Sequence, residues 1–330
     1  MAWQTTGDVA EFLAAAGPYL RRERAQNTII LTVTEAMRVS SAASGGGAPE
    51  AADPAARPLL GWWSDPSDPS VPAGAGAGAS AEAEAGPVAG AFLHTPKFPV
   101  VLTAVTPAAA AELAAVTLAG RPLPGVNAHP EVAEAFAEAW RQAQGPQGSQ
   151  GAQGAQGAQE TQGGRAEVRV HVSQRLYRLG GLSWPDPAPA GAARVAADSD
   201  VPLLTDWFRA FMVEVHDMGR GTDQSAVVRE RVSYGGITIW EAGGEPVAIA
   251  GATRQVAGMV RIGPVYTPPE HRGRGYGSAV TAAASQRLLA AGVEDVLLYT
   301  DLANPVSNSI YQRIGYRPVE DRVSLEFSAR

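Results

Sequence analysis

Two short stretches hold residues whose types and spacing could do chemistry. The first, Pro268 to Ala279, reads PPEHRGRGYGSA: three glycines alternate with arginines and a tyrosine, directly before an alanine-rich run. Successive backbone N–H groups at a helix start, backed by the helix dipole, favour an anion such as a pyrophosphate. Glycine lets that backbone approach the ligand without a Cβ in the way. A dinucleotide fingerprint would need glycine where Ser278 stands, counting from Gly273, in a βαβ unit that opens the domain. A P-loop would need Gly-Lys-Ser/Thr, and the single lysine of the chain, Lys97, is far away. Two readings remain for Arg272-x-x-Gly275-x-Gly277. It is an anion-holding loop, or a glycine-rich turn between strand and helix with two solvated arginines.

The second stretch, 304–316, reads NPVSNSIYQRIGY. Asn304 suits an N-cap and Pro305 the first helical position. Asn304, Asn308 and Tyr311 then follow at offsets of four and three on one helix face, with Val306, Ile310 and Ile314 expected on a buried opposite face. Two amides and a phenol in a row can address a ligand from one side. The same residues also fit a cap, a solvated asparagine and a packed tyrosine.

The elements that must position these residues follow from periodicity. Strands are expected at 192–196, 235–241, 246–253, 257–267, 295–300 and 323–328. Helices are expected at about 200–216, 223–232, 277–291 and 305–314, the second-last stopped by Gly292. The first of them sets Leu203, Leu204, Trp207, Phe208, Phe211, Met212 and Val215 on an apolar face. Upstream, 27–39, 58–65 and 86–105 read as strands, the last as a hairpin. Residues 107–118 and 130–143 read as helices, and AEVRVHVSQRLYRL after Gly164 alternates as a strand. The whole is a mixed α/β layer structure.

The proline-rich stretch SWPDPAPAG, 183–191, is read as a linker between domains at 1–182 and 192–330. Within the first, the small-residue stretches near 41–57 and 71–87 and the Gln-Gly repeat at 144–164 are expected to be flexible insertions.

Composition narrows the classes. A formal net charge of −7 argues against a general nucleic-acid binder. The absence of cysteine excludes disulfides, thiolate metal sites and cysteine nucleophiles, and fits a reducing, cytoplasmic setting. The N-terminus lacks a basic region before its apolar part, and the longest apolar stretch, 98–120, is broken by Pro107 and Glu112. Neither a signal peptide nor a membrane span is expected.

Taken together, the two chemical stretches resemble the GNAT superfamily of acetyl-CoA-dependent N-acyltransferases. Arg272, Gly275 and Gly277 match its Arg/Gln-x-x-Gly-x-Gly/Ala loop, GPVYTPPEHRGRGYG its strand–loop–helix, and TDLANPVSNSIYQRIGYRP its asparagine-plus-tyrosine helix. The likeness covers 192–330. It implies that the backbone of Val265, Tyr266 and Thr267 pairs with the pantetheine arm, and that the loop Arg272, Gly273, Arg274, Gly275, Tyr276, Gly277 and Ser278 holds the pyrophosphate. It further implies that Asn304 and Asn308 contact the cofactor arm. Tyr311 would protonate the departing thiolate while a primary amine, on a small molecule or a peptide, attacks the thioester directly without a metal. An amide near Val265 would stabilise the oxyanion.

For the base, Glu214 at the edge of its helix is the first candidate, since partial burial there would raise its pKa, and Asp301 is the alternative. His271 and His216 are expected to be structural or solvent-exposed. In the first half, VVLTAVTPAAAAELAAVTL again runs a strand into a helix, but TPAAAAEL stands at the loop position without glycine or arginine. This resembles a degenerate copy of the same domain, with an unrelated α/β domain as the alternative. A CoA-binding sensor or scaffold without turnover, or transfer of another acyl group, would leave the same motifs. Acceptor identity and oligomeric state are not legible.

Overall fold

A computed structural model describes residues 3–43, 57–64, 86–144, 166–215 and 223–328. The insertions expected near 41–57, 71–87 and 144–164 lie almost wholly outside the described residues, as does His216. The chain divides into two compact units, 1–173 with 321–330, and 174–320. The proline-rich stretch 183–191 therefore falls within the second unit.

The first unit contains β1 (Trp3–Thr6), α1 (Val9–Arg22), α2 (Thr28–Ala43), β2 (Leu59–Ser64), β3 (Val88–His94), β4 (Val100–Leu102), α3 (Pro107–Glu112), β5 (Gly125–Ala128) and α4 (Pro130–Ala143), followed by β6 (Glu167–Leu179). β1 to β4 pair antiparallel in sequence order and β4 pairs parallel with β5. The core gathers Phe92, Leu102 and Phe136 from these elements and Leu113 from the turn that follows α3, with Trp140 stacked on Phe327 at 4.2 Å.

The stretch 27–39, expected as a strand from its β-branched run, is helical instead. Its buried residues Asn27, Thr28, Ile30, Leu31 and Thr34 are related by steps of three and four, the spacing of one helix face. The Thr32 and Thr34 hydroxyls donate to the carbonyls of Thr28 and Ile30 four residues back, at 2.7 and 2.8 Å, so both are satisfied within the helix. Burial of that face outweighs β propensity.

The second unit repeats the succession: β7 (Ala192–Val195), α5 (Val201–Glu214), α6 (Gln224–Ser233), β8 (Ile237–Ala242), β9 (Glu245–Ala252), β10 (Met259–Tyr266), α7 (Tyr276–Ala290), β11 (Asp295–Asp301), α8 (Pro305–Arg313) and β12 (Tyr316–Ser328). β7 to β10 pair antiparallel in order and β10 pairs parallel with β11.

Each sheet is completed by a strand from the other half of the sequence. Residues 174–178 of β6 pair with β11, and Val323–Glu326 of β12 pair with β5. Arg322, almost fully buried, fixes the latter by donating to the Asn127 side chain at 2.8 Å and to the carbonyls of Asn127 and Leu102.

The two faces of the second sheet are covered by different helices. α7 packs Ala279, Val280 and Ala284 against Val260, Ile262 and Leu298. On the other face α5 and α6 pack Leu204, Phe208 and Val228 against Ile237, Ile239 and Ile249. Alternation along each strand assigns the residues to these faces.

Candidate active site

The site is built where β10 and β11 part. Their parallel pairing runs from Met259 opposite Asp295 to Ile262 opposite Leu298. Beyond an irregular register between Ile262 and Val265, β10 continues on β9 alone, with Val265 opposite Ala250 and Tyr266 opposite Ile249. β11 meanwhile continues on β6, with Tyr299, Thr300 and Asp301 opposite Leu176, Arg175 and Gln174. Val265–Tyr266 and Tyr299–Asp301 thus each pair on one side only among the described residues. An extended ligand can take the place of a strand in such a gap.

The loop that leaves this gap is shaped by glycine. Gly273 and Gly275 have φ of 74° and 81°, in the left-handed region. Gly275 is the N-cap of α7 and offers no side-chain cap; its carbonyl takes the Ala279 N–H at 3.0 Å. The amides of Tyr276, Gly277 and Ser278 precede the first intrahelical donor, the Ala279 N–H, and are left for an outside partner. A Cβ on Gly277 would stand 3.4 Å from the Thr267 Oγ1, whereas one on Gly273 would meet nothing within 4 Å. Donors, helix dipole and open backbone suit an anion.

The arginines differ. Arg274 is exposed. Arg272 folds back, donating through Nε to the Thr267 carbonyl at 2.8 Å and pairing with Glu214 at 2.5 Å. It fastens the end of α5 to the end of β10. Glu214 correspondingly lies with 43% of its side chain exposed, not partly buried as the helix pattern suggested. The apolar stripe of α5 gives out before its last turn, where Val213 and Val215 are exposed too.

α8 is anchored through its polar residues. Asn304 caps it, accepting from the Ser307 N–H at 2.9 Å. Asn308 donates to the carbonyls of Asp301 and Asn304 at 2.8 Å and accepts from the Tyr177 hydroxyl at 2.9 Å. The Asp301 carboxylate accepts from the Ala303 N–H at 2.8 Å. Val306, expected on the buried face, is 67% exposed, because α8 turns Tyr311 and Ile314 inward in its place. Tyr311 packs edge-on to Tyr316, centroids 6.1 Å apart, and burial pushes its pKa up to about 12. Its hydroxyl keeps its proton at neutral pH. His271 lies in the loop with Nδ1 sealed from solvent and without a hydrogen-bond partner.

Three residues of the site have no signal in the motifs. Tyr177 comes from β6, 131 residues before Asn308, and also accepts from Gln312 at 3.0 Å. Arg231 of α6 donates to the Gly263 carbonyl at the irregular point of β10, and Arg261 precedes that point by two residues. Only the topology brings them here.

A parallel strand–loop–helix–strand step, parted strands and a glycine-opened helix define the GNAT fold. Residues 243–324 match the family model described as FR47-like protein, whose span takes in the loop and α8. A solved Drosophila protein is similar over 99% of this chain and 98% of its own, with a TM-score of 0.60 and 12% identity. A GCN5-related N-acetyltransferase from Sphaerobacter thermophilus is similar over 85% of this chain and 82% of its own, with a TM-score of 0.50 and 14% identity. No curated protein matches the sequence significantly. The chain has the fold of the GNAT acetyltransferases.

Proposed function

We propose that the second unit transfers the acetyl group of acetyl-CoA to a primary amine. The observation that carries this is the gap between β10 and β11 opening directly onto the uncapped, glycine-shaped start of α7. The backbone of Val265, Tyr266 and Thr267 would pair with the pantetheine arm. The amides from Gly273 to Ser278 would hold the diphosphate, with Arg274 adding charge. The bound thioester supplies an activated acyl group.

This chain's residues then do the following. An N–H near Val265 stabilises charge on the thioester oxygen. Tyr311 holds a proton at its hydroxyl and gives it to the sulfur as the C–S bond breaks and the N–C bond forms. The amine loses its proton to a base. Glu214 is the better candidate, since Arg272 holds its carboxylate beside the Thr267 end of β10, whereas Asp301 spends its carboxylate on the Ala303 N–H. Arg272 acts through this clamp, Asn304 and Asn308 position α8, and Asn304 would contact the cofactor arm.

The first unit is read as a copy of the same domain that has lost its anion loop, so CoA binding is left to the second unit. A CoA-binding module without turnover is the second reading, favoured by the ion pair that occupies Glu214. Calorimetry with CoA and thiol release from acetyl-CoA across a panel of amines decide. CoA binding with amine-dependent release supports transfer; binding with no release by any amine supports the second reading; no binding at millimolar CoA sinks both.

A further inference from the structure

On the sheet face covered by α5 and α6, two arginines lie beside the point where β10 leaves β11. Arg231 donates through Nη1 to the Gly263 carbonyl, and its guanidinium lies over the Phe208 ring at 5.4 Å. Arg261, on the same strand as Gly263, has an Nη1 sealed from solvent with no hydrogen-bond partner. No carboxylate pairs with either among the described residues. Glu230, the neighbour of Arg231 in sequence, is taken by Arg254 at 2.8 Å. Gly251 makes the room: a Cβ there would stand 2.6 Å from Arg231 Nη1.

Two buried guanidiniums with one hydrogen bond to a carbonyl and no acid between them are costly to keep. Burial most strongly disfavours the charged form of Arg261; nearby Tyr299 favours it, and the charge of Arg231, a smaller influence, disfavours it. An anion held between them removes that cost, and a carboxylate matches the planar fork of the arginine head.

We propose that Arg231 and Arg261 receive the carboxylate of the acceptor, so that the amine acetylated is an amino acid or a short amino carboxylate. This rests on the acetyl-transfer reading and deepens it. Gly263 lies two residues from Val265 along β10. A small amino carboxylate spans that interval, with its anion at the arginines and its amine at the thioester end. The site is locally cationic although the chain as a whole carries −7. A global charge does not define a pocket.

The test titrates the full chain, with and without CoA, with N-acetylglycine and N-acetyl-4-aminobutyrate and with the primary amide of each. These are product-like probes that bind without turnover. At least one acid is expected to bind at least tenfold more tightly than its amide, and Arg261→Met and Arg231→Met to abolish that preference. Equal binding of acid and amide, or no binding of either acid at millimolar concentration, overturns the proposal. The wild-type comparison stands if a variant fails to fold. CoA binding, measured in the same series, separates the two ideas: its loss sinks acetyl transfer, while CoA binding without acid preference sinks only the carboxylate site.

Discussion

Both units run an antiparallel ladder into a strand, a helix and a parallel strand, yet the two helices begin in opposite ways. α3 starts on Thr106, whose hydroxyl accepts from the Ala109 N–H at 3.2 Å, with Pro107 in its first turn. α7 starts on Gly275, in a left-handed conformation and with no side chain to cap it. The first helix spends a donor on its own side chain; the second leaves its donors open. A helix start is stabilised by a cap and made into an anion site by the lack of one. Identical topology thus carries a self-satisfied end in one unit and a ligand-ready end in the other.

The comparison can be broken at four points. The largest effect is expected from Tyr311→Phe, since a positioned acid contributes about 100-fold or more. kcat should fall by that order while CoA affinity stays within about twofold, because the ring still packs on Tyr316. An unchanged kcat by thiol release would remove Tyr311 from the chemistry. Next is Gly275→Val. A β-branched residue held at positive φ costs about 2 kcal/mol, so calorimetry should show CoA affinity weakened about 30-fold. Wild-type affinity in this variant would mean that the loop does not hold the diphosphate.

Acid should separate the units. His94 in β3 is fully buried and accepts from Arg121 Nε at 2.8 Å through Nδ1. Burial, then the nearby Arg121 charge, lowers its pKa from 6.5 to about 4. The folded state therefore binds fewer protons than the unfolded one between those values. The stability that neutral His94 contributes is complete above about pH 6.5 and is lost as pH falls toward 4. Allowing for solvent screening, the loss is on the order of 2 kcal/mol. Protection factors, corrected for the slower intrinsic exchange in acid, should fall between pH 7 and 5 more in β3 than in β9. An equal fall in both would place the acid-sensitive group elsewhere. The smallest effect is expected from Thr106→Ala, which should cost about 1 kcal/mol by urea unfolding and leave CoA binding unchanged. A change in CoA affinity would give the first unit a part in binding.

Much of this was legible from local pattern. The Gly273–Gly275–Gly277 spacing announced a backbone conformation that few other residues adopt, and Asn304-Pro305 announced a helix start. The continuous apolar run DVLLYT at 295–300 announced a strand buried on both faces. Where the reading went astray, a local signal met a non-local one. The β-branched run at 27–39 suits a strand in isolation, but burial at three-and-four spacing made it helical. Val306 reads as a buried position, but the docking of Tyr311 and Ile314 turned it outward. Glu214 follows a run of apolar residues, and its surroundings depended on where Arg272, 58 residues later, would reach.

The sequence by itself determined the chemistry of the loop: glycines where φ must be positive, no lysine, and a helix that begins without a capping side chain. These are properties of single residues and their immediate neighbours, so spacing alone reveals them. Only the tertiary structure decided which strand completes each sheet, that Tyr177 steadies α8, and that Arg231 and Arg261 stand together at the parted strands. Such placements are set by pairings between segments tens to more than a hundred residues apart, through the burial of faces that no local pattern names.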